Sequence, residues 1–136
     1  MKTVKSLILS LFVLGFVFAG NVESLASSKV EGEKKIVYYF HLTRRCPTCL
    51  AIEKETKKVL KEKPFSEALE SGDIIFKSYN AENAVNNKLV KELGVTGSAL
   101  IVIKGEEKID LTSKGFMYGL KQPEKLREVL REALKD

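Results

Sequence analysis

Both cysteines of this 136-residue chain fall in one short stretch, His41-Leu42-Thr43-Arg44-Arg45-Cys46-Pro47-Thr48-Cys49. Before it runs an apolar segment, Ile36-Val37-Tyr38-Tyr39-Phe40, and after it a segment with helical periodicity from Cys49 to about Lys63. A Cys-x-x-Cys pair where a strand hands over to a helix is a redox signature with a mechanism. The junction places Cys46 at the helix N-terminus, where unpaired amide N–H groups and the positive end of the helix dipole favour a thiolate. Pro47 suits the first helical position, where a missing N–H costs nothing. The spacing sets Cys49 one turn on, close enough to form a disulfide with Cys46. Arg44 and Arg45, just upstream, are expected to lower the Cys46 pKa further.

The amino end reads as a targeting segment. Lys2 and Lys5 precede an apolar run from Leu7 to Ala19, broken only by Ser10 and Gly15. A charged region followed by such a run marks a secretory signal. Cleavage fits after Ala19, with Val17 at the minus-three position, or after Ala26, with Ser24 there; the second is preferred. The run is short for a membrane span, which needs roughly 17–25 residues. An uncleaved anchor is the alternative. The expected organisation is a signal or anchor over 1–26, a flexible leader over 27–33 and one domain over 34–136. Export to the periplasm or beyond the cytoplasmic membrane implies an oxidising compartment in which a disulfide persists.

Hydrophobic residues make up 44% of the chain and charged residues 30%, an ordinary globular balance. The net charge is +5, but lysines sit among glutamates on helix faces rather than in a basic stripe with aromatics. Nucleic acid is therefore not an expected partner. No nucleotide-binding glycine motif, paired-carboxylate signature or Ser/His/Asp arrangement is present.

The continuously apolar Ile36–Phe40 segment suits a central strand buried on both faces. In the following helix Cys49, Ile52, Thr56, Val59 and Leu60 share one face, while Glu53, Lys54, Lys57 and Lys61 are expected to point elsewhere. Pro64 ends that helix, and Phe65–Leu69 forms a short helical turn stopped at Ser71-Gly72. A second strand lies within Asp73–Tyr79. Asn80-Ala81-Glu82 then opens a second main helix with Val85, Leu89, Val90 and Leu93 as its buried stripe, closed by Gly94. Ala99–Ile103 and Lys108–Leu111 form an antiparallel strand pair around Lys104-Gly105-Glu106. Thr112–Gly119 is expected to be a loop. Pro123 begins a last helix whose apolar face is Leu126, Val129, Leu130, Ala133 and Leu134. The expected order is β-α-β-α-β-β-α, a central mixed sheet of about four strands flanked by helices. About 110 mature residues suffice for one such core.

This order, with Cys46-Pro47-Thr48-Cys49 at the first strand–helix junction, resembles the thioredoxin fold over about Lys35 to Lys135. More narrowly, Tyr38-Tyr39-Phe40-His41 with Thr43-Arg44-Arg45-Cys46-Pro47-Thr48-Cys49 resembles a bacterial thioredoxin-like family labelled nitrophenyl compound nitroreductase subunit, the ArsF family. Gly115-Phe116-Met117-Tyr118 and Pro123-Glu124-Lys125 are similar to that family too. The label implies partnership with a reductase. Two departures from thioredoxins stand out. Phe40 occupies the place of their buried aspartate, six residues before the first cysteine. Ala99 occupies the place of their cis-proline, opposite the cysteines. A cis bond without proline costs roughly 2.5–4 kcal/mol, so a trans Ser98–Ala99 bond and an altered substrate groove are expected.

The chemistry expected is thiol–disulfide exchange with protein thiols or disulfides. Cys46 is the nucleophile, and Cys49, on the helix's buried side, is the resolving cysteine. The redox-active disulfide is the only cofactor expected. Pro47, Thr48, Arg44, Arg45, His41, Ser98 and Ala99 are its expected neighbours. A purely structural disulfide is the bland alternative, but so small a loop removes little chain entropy. Two thiolates also suit a soft metal or metalloid, although a structural zinc site wants four ligands. A third reading is an accessory subunit docked on a reductase. His41, the sole histidine, reads first as a packed residue at a strand end, and Tyr38 and Tyr39 as strand packing.

Overall fold

The computed structural model describes residues 32–136; the expected signal or anchor over 1–26 and most of the expected leader over 27–33 lie outside the described residues. Ten elements follow in order: β1 (Lys35–His41), α1 (Pro47–Leu60), α2 (Phe65–Ser71), β2 (Ile74–Asn80), a 3-10 turn (Ala84–Asn86), α3 (Asn87–Glu92), β3 (Ala99–Lys104), β4 (Glu107–Asp110), α4 (Thr112–Tyr118) and α5 (Pro123–Leu134). The strands form one mixed sheet in the order β2-β1-β3-β4. β1 runs parallel to β2 and antiparallel to β3, and β3 is antiparallel to β4. Among the described residues no helix is long and apolar enough to cross a membrane.

β1 is central because its side chains are apolar in both directions. Val37 and Tyr39 pack on one face with Ile52, Val59 and Leu60 of α1 and Leu126, Leu130 and Leu134 of α5. Phe40 packs on the other face with Val95, Ala99 and Ile101, and Tyr38 joins it. The three α5 leucines are spaced four apart, so one stripe buries them all. Each contributes about 1.5–3 kcal/mol of transfer free energy, an upper estimate.

The first helix starts at Pro47 and ends at Leu60, before Pro64 rather than at Lys63. Its apolar face is buried as expected. Glu53 and Glu55 are buried with it, against the expectation that Glu53 points away. Both carboxylates are held by partners. Glu53 pairs with Arg45 and with Lys57 at 2.8 Å, and accepts from Ser78 of β2. Glu55 pairs with Lys58 at 2.9 Å and with Arg127 of α5. Paired in this way, buried charge becomes tolerable, and it ties α1 to β2 and to α5.

Two expectations are corrected between the strands. Asn80 is the last residue of β2, and the segment after it forms a 3-10 turn and a helix of six residues. Val85 falls in the turn and is 82% exposed, so it is not part of a buried stripe; Leu89, Val90 and Leu93 pack partly against the Phe40 face. Asn83 captures this stretch by accepting from the Val85 N–H. A side-chain turn of this kind competes with helix. Gly94 closes the segment at φ +65, as expected of a helix stop.

The third correction is α4, which occupies the expected loop. Leu111 N bonds Leu100 O and leads straight into the first turn, where Thr112 N bonds Asp110 Oδ1. Gly115 of α4 and Gly119 at its C-terminal cap both lie against Ile52 of α1. A Cβ at Gly119 would stand 2.7 Å from Gly115 O and 2.9 Å from Ile52 Cγ1. The glycines therefore allow close approach of two helices rather than marking a loop.

Candidate functional site

The carboxyl end of β1 runs through Leu42–Arg45 into α1, and this loop is fastened from β2. Ala81 N bonds His41 O at 2.8 Å. Asn80 Nδ2 donates to Thr43 Oγ1 at 2.9 Å, and Thr43 N donates to Glu82 Oε2 at 2.7 Å. The hydrogen bonds from Thr43 hold the Glu82 carboxyl below its ordinary range.

Cys46 is the N-cap of α1, with Pro47 in the first turn. Its Sγ accepts the Cys49 N–H at 3.1 Å, and its carbonyl accepts Leu50 N at 3.0 Å. The sulfur thus occupies the place usually taken by a capping oxygen, where the orphan donors and the dipole of the helix favour negative charge. Cys46 and Cys49 are joined as a disulfide, with Cα atoms 5.0 Å apart. Cys46 is half-buried, while Cys49 is 6% exposed. That asymmetry is the one expected from the helix face. Pro47 is exposed and Thr48 half-buried at the same helix end.

By sequence Tyr39 reads as strand packing, and the structure gives it a second part. Its ring is fully buried, and its hydroxyl donates to Cys49 O at 2.6 Å. Burial raises the Tyr39 phenol above its ordinary range, and the neighbouring Arg45 opposes that rise. Arg45 lies over the Tyr39 ring, 5.7 Å from its centroid, and pairs with Glu53. Its guanidinium is thus engaged by the Glu53 carboxylate and the Tyr39 ring. Arg44 is exposed. Glu53 stands four residues after Cys49, a helical spacing that could have flagged it; its partner Arg45 carries no such signal.

His41 shares the face of Tyr39, with ring centroids 6.2 Å apart, and so lies opposite Phe40. Its Nδ1 lies 3.1 Å from Leu42 O. Phe40 points away from the α1 side, into the cluster with Val95 and Ile101. The register pairing Phe40 with Ala99 sets Ser98 just beyond the end of β3, beside the cysteine helix. Ser98 Oγ is 3.7 Å from Cys49 Sγ. Among the described residues the only cis peptide bond is Lys63–Pro64, so Ser98–Ala99 is trans, as expected. Nor do three or more His, Cys, Asp or Glu side chains gather as a metal site among the described residues.

Spinach chloroplast thioredoxin f, short form, is similar to this chain at 25% identity and TM-score 0.51, over 79% of this chain and 82% of its own. This chain has a thioredoxin-like fold. The long form of the spinach protein gives 25% identity and TM-score 0.48, over 77% of this chain and 74% of its own. Thioredoxin f2, in a complex with ferredoxin:thioredoxin reductase, gives 19% identity and TM-score 0.49, over 79% of this chain and 84% of its own. No protein-family model matches the chain, and no curated protein matches it significantly. The narrower likeness to the ArsF family rests on its motif residues alone. Within the thioredoxin-like frame, Cys46–Cys49 is a disulfide-forming Cys-x-x-Cys pair at the first strand–helix junction.

Proposed function

We propose that this protein is an exported thiol–disulfide oxidoreductase with Cys46 as nucleophile and Cys49 as resolving cysteine. One observation carries the reading. Cys46 Sγ is the cap of the cysteine helix and accepts an N–H from it, while its partner sulfur lies under the surface. A capped sulfur gains stability as an anion, and the thiolate is the form that reacts. In the reducing direction, Cys46 thiolate attacks one sulfur of a partner disulfide. A Cys46–partner bond forms, the partner bond breaks, and the displaced partner sulfur leaves with the electron pair as a thiolate. Cys49, having lost its proton to solvent, then attacks Cys46 Sγ. The Cys46–Cys49 bond forms and the second partner sulfur leaves. The partner gains two electrons and the protein loses two; the reverse sequence oxidises a partner dithiol.

The likeness to thioredoxin f supports a protein thiol or disulfide as substrate. Ala99 in the place of a cis-proline, together with the motif likeness to a nitroreductase-subunit family, favours a dedicated reductase partner over broad peptide specificity. The apolar run after Lys2 and Lys5 supports export, with the chain free in the periplasm or held at the membrane by an uncleaved segment.

The test is trapping with Cys49→Ser in the oxidising compartment. That variant is expected to accumulate a dithiothreitol-sensitive covalent adduct through Cys46, and Cys46→Ser to accumulate none. Equal adducts from both variants, or none from either, would remove the assignment.

A further inference from the structure

Among the described residues the buried sulfur of the pair has one polar side chain within hydrogen-bond reach, and that side chain comes from a distant part of the chain. Ser98 Oγ stands 3.7 Å from Cys49 Sγ. A disulfide sulfur carries no hydrogen, so the hydroxyl is the donor in this contact. The sheet register holds it there: Phe40 pairs with Ala99, so Ser98 projects beyond the end of β3 beside the first turn of α1. Phe40 fills the place of the thioredoxin aspartate and faces the other side of the sheet. Glu53, one turn along α1, is engaged by Arg45, Lys57 and Ser78.

We propose that Ser98 is a catalytic residue for the resolving half of the exchange, its hydroxyl donating a hydrogen bond to Cys49 Sγ while that sulfur is a thiolate. This rests on the exchange reading above. In the reducing direction, Cys49 loses its proton to solvent and attacks Cys46 Sγ, and Ser98 stabilises the anion before the Cys46–partner bond breaks. In the oxidising direction, a partner thiolate attacks Cys46 Sγ and Cys49 leaves with the electron pair of the broken disulfide. Ser98 then steadies the leaving group until it takes a proton from solvent. The hydroxyl keeps its own proton throughout. It acts on the buried sulfur, whose negative charge is otherwise disfavoured by burial, whereas Cys46 already has the Cys49 N–H.

The test uses the reduced protein and an aryl disulfide that releases a coloured thiolate. Attack by Cys46 releases the first aryl thiolate and closure by Cys49 releases the second, so the two steps are read separately. Ser98→Ala is expected to slow the second release about five- to tenfold near neutral pH and to raise its pH midpoint by up to about one unit, a modest share of a hydrogen bond to a charged group. The first release should be unchanged, and Ser98→Thr should restore the second. Should Ser98→Ala not fold, Ser98→Val against Ser98→Thr makes the same comparison, the two side chains having one shape and differing in the hydroxyl. A second release with unaltered rate and midpoint in the variant without the hydroxyl overturns the proposal. So does equal slowing of both releases by Ala and Thr alike, which is a packing effect. Absence of the first release from the parent protein overturns the exchange reading itself.

Discussion

The Tyr39 hydroxyl donates a 2.6 Å hydrogen bond to the carbonyl oxygen of Cys49, joining the middle of the central strand to the first turn of the cysteine helix. The bond is buried, so its donor has no water to fall back on. Tyr39→Phe keeps the ring and removes only the donor. The expected loss is about 1 kcal/mol of folding stability, read as a lower urea midpoint with an unchanged m-value. A variant as stable as the parent would mean that this hydroxyl does not fasten the helix.

Glu53 and Glu55 link stability to pH. Burial alone would raise each carboxyl pKa. Hydrogen bonds from Lys57 and Arg45 outweigh burial at Glu53, and those from Lys58 and Arg127 do so at Glu55, so both sit below the ordinary glutamate range. A folded pKa below the unfolded one gives stability that is present above the unfolded value and lost as pH falls through the folded one. Stability should therefore decline below about pH 4.5. Glu53→Gln should lower the urea midpoint near neutral pH and make the acid decline shallower. An acid decline identical to the parent's would show that the Glu53 carboxylate is not tied up by its two cations.

Gly119 and Gly115 should respond differently to alanine. At Gly119 a new Cβ meets the Gly115 carbonyl oxygen as well as Ile52, and backbone cannot swing aside. Gly119→Ala is expected to cost about 1–3 kcal/mol, as overpacking does. At Gly115 the nearest atom is Ile52 Cδ1 at 3.2 Å, the end of a flexible side chain. There the helix preference for alanine over glycine, roughly 1 kcal/mol, offsets the crowding, and the change should be near neutral. Thermal unfolding of the two variants decides; equal effects would contradict the close packing of α4 on α1.

Val85 and Leu126 test which apolar stripes are core. Val85→Ala should change stability by less than about 0.5 kcal/mol, because the side chain is already in water. Leu126→Ala should cost about 2–5 kcal/mol, the usual range for a fully buried leucine. Urea unfolding of the pair measures both, and a large loss from Val85→Ala would restore the longer buried helix expected from spacing.

That contrast also explains what the sequence made legible. The strands and the last helix were readable because their apolar residues recur with one period over a whole element, as in Ile36–Phe40 and in Leu126, Leu130 and Leu134. The cysteine junction was readable because Pro47 and the spacing of Cys46 and Cys49 are local. Val85 misled because three- and four-residue spacing also arises in a turn, and Asn83 claims that turn with its side chain. The glycines of α4 misled because their usual meaning is a loop, while here they answer to Ile52, far away in sequence. The site was legible where it is local, and at Ser98, which the likeness to the thioredoxin fold sets opposite the cysteines. Tyr39 reaches Cys49 through its hydroxyl, and Glu53 is held by Arg45 through an ion pair, neither of which periodicity encodes.

The account turns on whether Cys46 ionises early, and the pH dependence of alkylation measures that. In the reduced protein, iodoacetamide should modify Cys46 ahead of Cys49, with half-maximal rate at least about one unit below the pKa of roughly 8.5 of a free thiol. Half-maximal rate at or above that value, or faster modification of Cys49, would contradict it.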